Sequence, residues 1–429
     1  MWDWTKSCTD GKISLTFISL VVLPKNEFGK EDKQMLYRNL GKANLNVSIL
    51  GFGCMRLPVQ NGTGRGVDLF DPNKGINEEE AKKMIQHAIE HGVNYFDTAY
   101  PYHSGKSEPL LGKAVKGYRD RVMIATKLPV WLVKEEKDFE KFLTEQMTRL
   151  ETDYLDFYLL HGLERQVWSR MLQLKVFKFL RQIQADGRVR HVGFSFHDDV
   201  KIFKEIVDSY DWEICQIQYN FFDENYQAGK EGLTYAASKG LGVVVMEPLR
   251  GGKLTDRIPP EVKTIWESAE KRRTPAEWAL RWVWNHSEVS TALSGASTVE
   301  QITENIRLAD EGKPNSLSHK ELSVIAQVKE VYRKMLKIDC TGCAYCMPCE
   351  TGVDVPLNFT MYNDLFMFKN PEVNVLLYNE FISPERRASA CIECGKCEEQ
   401  CPQHIQIQEA LKVVHKALFR EKPAKETAG

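Results

Sequence analysis

The sequence predicts an α/β protein: a (β/α)8 barrel of eight parallel strands ringed by helices, followed by a small all-α domain rich in cysteine. Three observations lead there. From Leu45 to Leu308, short β-branched or apolar runs alternate about eight times with longer stretches of helical period. Strand–helix units in series imply parallel strands joined by right-handed crossovers, and eight of them close most simply into a barrel. Eight of the eleven cysteines crowd between Cys340 and Cys401, and the roughly forty residues separating their two runs read as short helices rather than a hairpin. A doubly wound open sheet is the alternative, but its nucleotide loops fail. GFGCMR has Arg56 where a third glycine belongs, and GGKLT has Leu254 where Ser or Thr must follow the lysine.

Taken in order, residues 1–34 read as an extension, with Met35 opening the barrel domain. The apolar run ISLTFISLVVL (Ile13–Leu23) has the texture of a signal-peptide core. It is too short to span a bilayer and lacks a basic leader and a small-residue cleavage site. The strands are VSILGFG, NYFDTA, RVMIATK, LDFYLLH, RHVGFSF, EICQIQYN, GVVVME and STALSGA. Between them lie amphipathic stretches such as NEEEAKKMIQHAIEHG, whose apolar residues fall three and four apart and which closes on Gly92. The loop from Met55 to Asn77 carries no readable code. The barrel is expected over 35–315, a helical connector over 316–336, the cysteine-rich domain over 337–420 and a frayed polar tail over 421–429.

Apolar residues make up 43% of the chain, charged residues 27%, and the formal net charge is −2, values of a soluble globular protein with no call for a polyelectrolyte partner. Nucleic acid is therefore not expected as a partner, nor is a membrane span. Cys8, Cys54 and Cys215 stand alone, whereas the other eight have metal-ligand spacing, a pattern suited to a reducing, cytoplasmic setting.

In a parallel barrel the carboxyl ends of the strands form the active face. Strand two ends FDTAYPY, strand three IATK and strand four LLHG, which brings Asp97, Tyr102, Lys127 and His161 to one rim. Each alone has an ordinary explanation as a helix cap, an amphipathic plug, a solvated base or a core histidine. Together they form a set. From Met35 to about Asp310 the chain resembles an aldo-keto reductase, on the stretches MLYRNLGKANLNVSILGFG, GVNYFDTAYPYHSGKSEPLLGKAV, IATK, LDFYLLHGL, VGFSF, QIQYN and GASTVEQITEN. The resemblance implies carbonyl reduction, with Tyr102 as general acid, Lys127 and Asp97 tuning it and His161 beside the carbonyl. It prefers Tyr102, five residues after the aspartate, and leaves Tyr100 to line the pocket. Hydride addition builds negative charge on oxygen, so a proton donor must sit there. A phenol titrates near pH 10, and a neighbouring ammonium lowers that value.

The same resemblance implies a nicotinamide cofactor, NADP or NAD, across the barrel mouth. Ser195 and Gln216 match positions that hold the carboxamide, and Glu304 with Asn305 match residues near the adenine. Phe196 stands where many relatives carry Asn, and Met246 replaces the aromatic that stacks on the ring; a thioether packs there with less area. In place of a basic pair for the 2′-phosphate stand Gly295, Ala296, Ser297 and Gln301, so either nucleotide remains open.

The last chemistry is in the cysteines. CIECGKCEEQCP places four thiols and a proline as in the run that binds a [4Fe-4S] cubane, and CTGCAYCMPC precedes it. Where two clusters share two runs, the fourth cysteine of each crosses over. One cubane is then expected on Cys340, Cys343, Cys346 and Cys401, the other on Cys349, Cys391, Cys394 and Cys397. The upstream run departs from the pattern, with Glu350 for proline, so a single cluster is one alternative and tetrahedral zinc another. The spacer resembles all-helical ferredoxin-like domains, and a branch of the aldo-keto reductases carries such a tail. The reading is an NAD(P)H-dependent reductase of an aldehyde, ketone or sugar-like carbonyl with an electron-transfer tail that docks near the barrel, open to a redox protein partner. Its rivals are a nicotinamide-binding redox sensor or partner-docking protein, and clusters that are purely structural.

Overall fold

The computed structural model describes residues 35–62, 74–369 and 371–420. The expectations for residues 1–34, including Cys8 and the apolar run, for part of the Met55–Asn77 loop and for the tail at 421–429 lie outside the described residues.

A short antiparallel hairpin, β1 (Tyr37–Asn39) with β2 (Asn46–Ser48), opens the domain. Eight strands then close into a parallel barrel: β3 (Leu50–Gly53), β4 (Tyr95–Asp97), β5 (Met123–Leu128), β6 (Leu155–Leu163), β7 (Val189–Phe196), β8 (Ile214–Gln218), β9 (Gly242–Met246) and β10 (Val289–Ser294). They run in chain order around the circle, with β10 returning to β3. The expected strand VSILGFG is in fact two. It bends at Ile49, its first part pairing in the hairpin and its second in the barrel. The helix read between Asn77 and Gly92 spans Glu78–Glu90, capped by the Asn77 side chain on the Glu80 amide and closed by Gly92 at φ 90°.

Period two along the strands separates two cores. One side of each strand meets the helices in a continuous outer core. The other meets inside the barrel, where Tyr95, Ala125, Phe157, Leu159, Ile214, Val244 and Leu293 pack together. Gly193 and Gly51 supply the room: a Cβ on Gly193 would stand 2.4 Å from the Ile214 carbonyl oxygen, and one on Gly51 2.9 Å from Leu293.

After the barrel, the helix His319–Lys334 contributes Ile325, Val328 and Tyr332 to the outer core. The cysteine-rich region is helical among its described residues, with Val355–Met367, Pro371–Glu380 and Ile407–Leu418 as its longer helices. It has its own small core around Val355, Phe359, Tyr378, Leu411 and Val414. Met367 and Phe368, at the end of the first of these helices, belong instead to the barrel's outer core.

Candidate active site

Two residues beyond five of these interior apolar residues, on the same inward face, comes a polar or sulfur-bearing one: Asp97 after Tyr95, Lys127 after Ala125, His161 after Leu159, Gln216 after Ile214, Met246 after Val244. The site is thus the top layer of the barrel interior, placed by strand periodicity. Tyr102 joins it from the tight turn Tyr102–Gly105, where His103 and Ser104 take left-handed backbone angles. Below that turn, Ser107 donates to the Cys54 carbonyl and bonds the Thr98 hydroxyl.

Lys127 is 1% exposed and uses all three protons. Its Nζ donates to Asp97 Oδ1 at 2.6 Å, to the Thr98 carbonyl at 2.8 Å and to Tyr102 Oη at 3.4 Å. The other Asp97 oxygen accepts from Gln216 Nε2 at 3.1 Å. Burial works against the lysine's charge, but Asp97 and Tyr102 outweigh it and hold Lys127 above its ordinary value. Burial pushes the Asp97 carboxyl up, against the pull of Lys127 and Gln216. Tyr102 corrects the simple expectation of an acidified phenol: burial is the largest influence and raises it, and the opposing pull of Lys127 does not bring it below the ordinary value. His161 is held neutral by burial first, then by Lys127 and His197; its Nδ1 is buried with no hydrogen-bond partner among the described residues. Its ring lies edge-on to Tyr102, centroids 5.9 Å apart, and 5.0 Å from the half-exposed Trp131.

A cavity of about 530 Å3 runs from this layer across the barrel mouth. Asp97, Tyr102 and His161 line it, with Lys127 buried beneath them. Ser195, Gln216 and Met246 line it too, as do Ser297, Gln301, Glu304 and Asn305. Ser195 Oγ accepts from the Gly162 amide at 2.7 Å, which leaves its proton free to donate. Asn305 is fixed to Ser294 Oγ at 2.8 Å, Glu304 accepts from Thr274 at 2.8 Å, and Gln301 accepts from the Ser297 amide at 2.9 Å. Gly252, at φ 85°, has open space where a Cβ would stand, so a ligand can approach its backbone. A cavity of this size, lined by the Gln216 amide, the Ser195 hydroxyl, glycine backbone and side chains of the helix Val299–Ala309, suits a nucleotide.

Two expectations about side chains are overturned. Tyr100 does not line the cavity: it turns outward to Glu145, at 3.2 Å, with the Arg149 guanidinium 4.1 Å from its ring. Phe196 does not line it either, since it points to the opposite side of β7 from Ser195 and packs on Phe203, centroids 5.1 Å apart. The residues missed are informative. His197 lines the cavity, and counting by two from Ser195 finds it. Arg56, paired with Glu247 at 3.2 Å, and Lys253 and Arg257 bring cations to a pocket where the sequence offers no basic pair for a 2′-phosphate. Nothing in a local pattern marks them, because loops carry them.

In the cysteine-rich region a small cavity is lined by Cys340, Cys343, Cys346 and Cys401, with Val355, Phe359 and Ile407 behind. Burial pushes the Cys340 thiol up to about 11 and Cys346 to about 12, so thiolates there call for a bound cation. Burial also raises Cys397, and Cys391 and Cys349 lie close enough to add to the effect. Among the described residues no group of three or more His, Cys, Asp or Glu is arranged to hold a single metal ion. A cubane does not require one, since each of its four irons takes a single thiolate.

Residues 50–329 match the Aldo/keto reductase family, and residues 339–405 match a 4Fe-4S dicluster domain. The chain is 27% identical over 321 residues to L-galactose dehydrogenase of Arabidopsis thaliana, covering 70% of this chain and 95% of that protein. It is 26% identical over 307 residues to an uncharacterized oxidoreductase of Bacillus subtilis, covering 64% and 92%. Among solved structures it is similar to an aldo-keto reductase from Bacillus halodurans in its holo form, with 28% identity, a TM-score of 0.55 and coverage of 69% and 96%.

Proposed function

Because this chain belongs to the aldo/keto reductase family, carries a 4Fe-4S dicluster domain and is therefore an oxidoreductase, we propose that it reduces a small carbonyl compound with NADPH or NADH. The observation that carries this is the single cavity joining Tyr102, His161 and Asp97 to Ser195, Gln216 and the Ser297–Asn305 edge. Ser195 and Gln216 would hold the carboxamide, Met246 would pack on the ring, and Ser297, Gln301, Glu304 and Asn305 would hold the adenosine end. When bound, the reduced nicotinamide supplies a hydride to the carbonyl carbon.

The chain's own residues manage the oxygen. Tyr102 is protonated at neutral pH, since burial raises its pKa, and its Oη gives that proton to the carbonyl oxygen as charge builds. The Lys127 ammonium, 3.4 Å away, then faces the phenolate left behind. Asp97 keeps that ammonium charged and aimed. The neutral His161 is a second hydrogen-bond partner for the carbonyl oxygen. The Trp131 face beside it suits an apolar or sugar face, and the similarity to a galactose dehydrogenase favours a sugar-like substrate.

Cys340, Cys343, Cys346 and Cys401 would hold one [4Fe-4S] cluster, and Cys349, Cys391, Cys394 and Cys397 a second. Such clusters exchange single electrons, suited to a redox protein partner in a reducing cytoplasm. No helix among the described residues is long and apolar enough to cross a membrane.

The test is Tyr102→Phe against a panel of aldehydes, ketones and aldoses. We expect kcat to fall about 10²- to 10⁴-fold with nucleotide affinity unchanged. Undiminished turnover would refute the assignment.

A further inference from the structure

The cavity's outer wall is not built by the barrel alone. The segment Glu247–Arg257, which follows β9, forms much of one side, and Phe368 and Val373 of the cysteine-rich region close it. The segment is turns throughout, with left-handed backbone at Glu247, Arg250, Gly251, Gly252 and Arg257. Three of those five are not glycine, a conformation that persists only where the surroundings hold it.

The surroundings are the cysteine-rich region. Asp364, on the helix Val355–Met367 and 2% exposed, accepts from Arg250 through one oxygen and from Lys253 through the other, both at 2.5 Å. Lys253 also donates to Asn374 at 3.0 Å, and Arg257 to the Lys369 carbonyl at 3.1 Å. Arg250 is buried between the rings of Phe222 and Phe368 and bonds Asp223 of the barrel at 2.8 Å. Three successive cations of that segment are thus fastened to the region that carries the eight cysteines.

We infer that Asp364 is a positioning residue for the nucleotide pocket, holding the Arg250–Arg257 wall closed, so that nucleotide affinity depends on the iron–sulfur domain being intact. This rests on the nicotinamide reading above. Loss of the clusters frees the helix that bears Asp364, and the wall then spends only part of its time in the binding conformation. Apparent affinity falls by that fraction. Linkage makes the effect reciprocal: bound nucleotide must also shift the cluster-binding equilibrium toward retention.

The experiment titrates NADPH and NADH, without carbonyl substrate, into anaerobically purified full-length protein by fluorescence, alongside chelator-stripped protein and an Asp364→Asn variant that retains its cluster absorbance. We expect Kd to rise about tenfold on stripping and about tenfold in D364N, with Asp364→Glu recovering part of the loss. Stripping D364N should add little, because both changes act on one element. The chelator concentration that removes half of the iron at equilibrium should rise when NADPH is present. Wild-type Kd in D364N with its clusters intact, or in stripped protein, overturns the coupling. If D364N does not keep its clusters, Asn374→Ser, which removes only the second acceptor of Lys253, carries the same arms. Failure of loaded wild-type protein to bind either nucleotide would instead overturn the nicotinamide reading and this inference with it.

Discussion

Tyr102 shows how two opposed effects are ranked. Its hydroxyl lies 3.4 Å from an ammonium, which favours the phenolate, yet burial raises it on balance. For the proposed reduction that is the useful direction, because a donor must hold its proton until the carbonyl takes it. If Tyr102 is that donor, the rate is present while it is protonated and is lost as pH rises through its pKa. We therefore expect kcat/KM for reduction to stay level from about pH 6 to about pH 9 and to fall only above the ordinary phenol value of about 10. Lys127→Met removes the downward pull, so the fall should move to higher pH while the plateau drops about 100-fold. A pH–rate profile of both proteins checks this, and a fall that moves to lower pH would contradict it. Asp97, Lys127 and His161 were legible because each ends a readable strand. His197 required carrying the period of two one step further, and Arg56, Lys253 and Arg257 were not legible, because a loop's path is not written in a local pattern.

The elements tell the same story one level up. The helix His319–Lys334 begins with a reciprocal capping box, the Ser318 side chain accepting from the Glu321 amide and Glu321 from the Ser318 amide. Arg273 adds an ion pair to Glu321 at 2.6 Å. Burial alone would raise the Glu321 carboxyl, but Ser318 and Arg273 win and hold it at about 2 against an ordinary 4.5. A carboxylate lowered on folding adds stability above its unfolded pKa and loses it as pH falls toward the folded one. Glu321→Gln should cost about 2 kcal/mol at neutral pH by urea denaturation, and the gap from wild type should shrink as pH falls from about 4.5 toward about 2. An unchanged gap at acid pH would show that the carboxylate's charge is not the source. That helix was expected as a plain connector; its packing on the barrel was invisible because its apolar stripe does not say what it faces.

On the scale of the whole molecule, the barrel and the cysteine-rich region share a core at Met367 and Phe368 and a buried charge network through Arg250. The cysteine pairing is testable at this scale. If the fourth cysteines cross over, Cys340→Ser and Cys401→Ser together remove a single cluster, and iron per chain falls from about eight to about four. If each run holds its own cluster, the same double substitution removes both. Iron and sulfide analysis of anaerobic protein distinguishes them. The sequence by itself determined the barrel, because alternating periods of two and 3.6 impose parallel strand–helix units, and it determined which side chains meet at the rim, because strand ends fall in register. Thiol spacing pointed to iron–sulfur chemistry in the tail, and the match of residues 339–405 to a 4Fe-4S dicluster domain supports it. Only the tertiary structure decided that the tail closes the cavity, that Tyr100 and Phe196 face away from it, and that burial outweighs the lysine at Tyr102. Each of these depends on which surfaces meet across distant parts of the chain, and on how much water that meeting excludes.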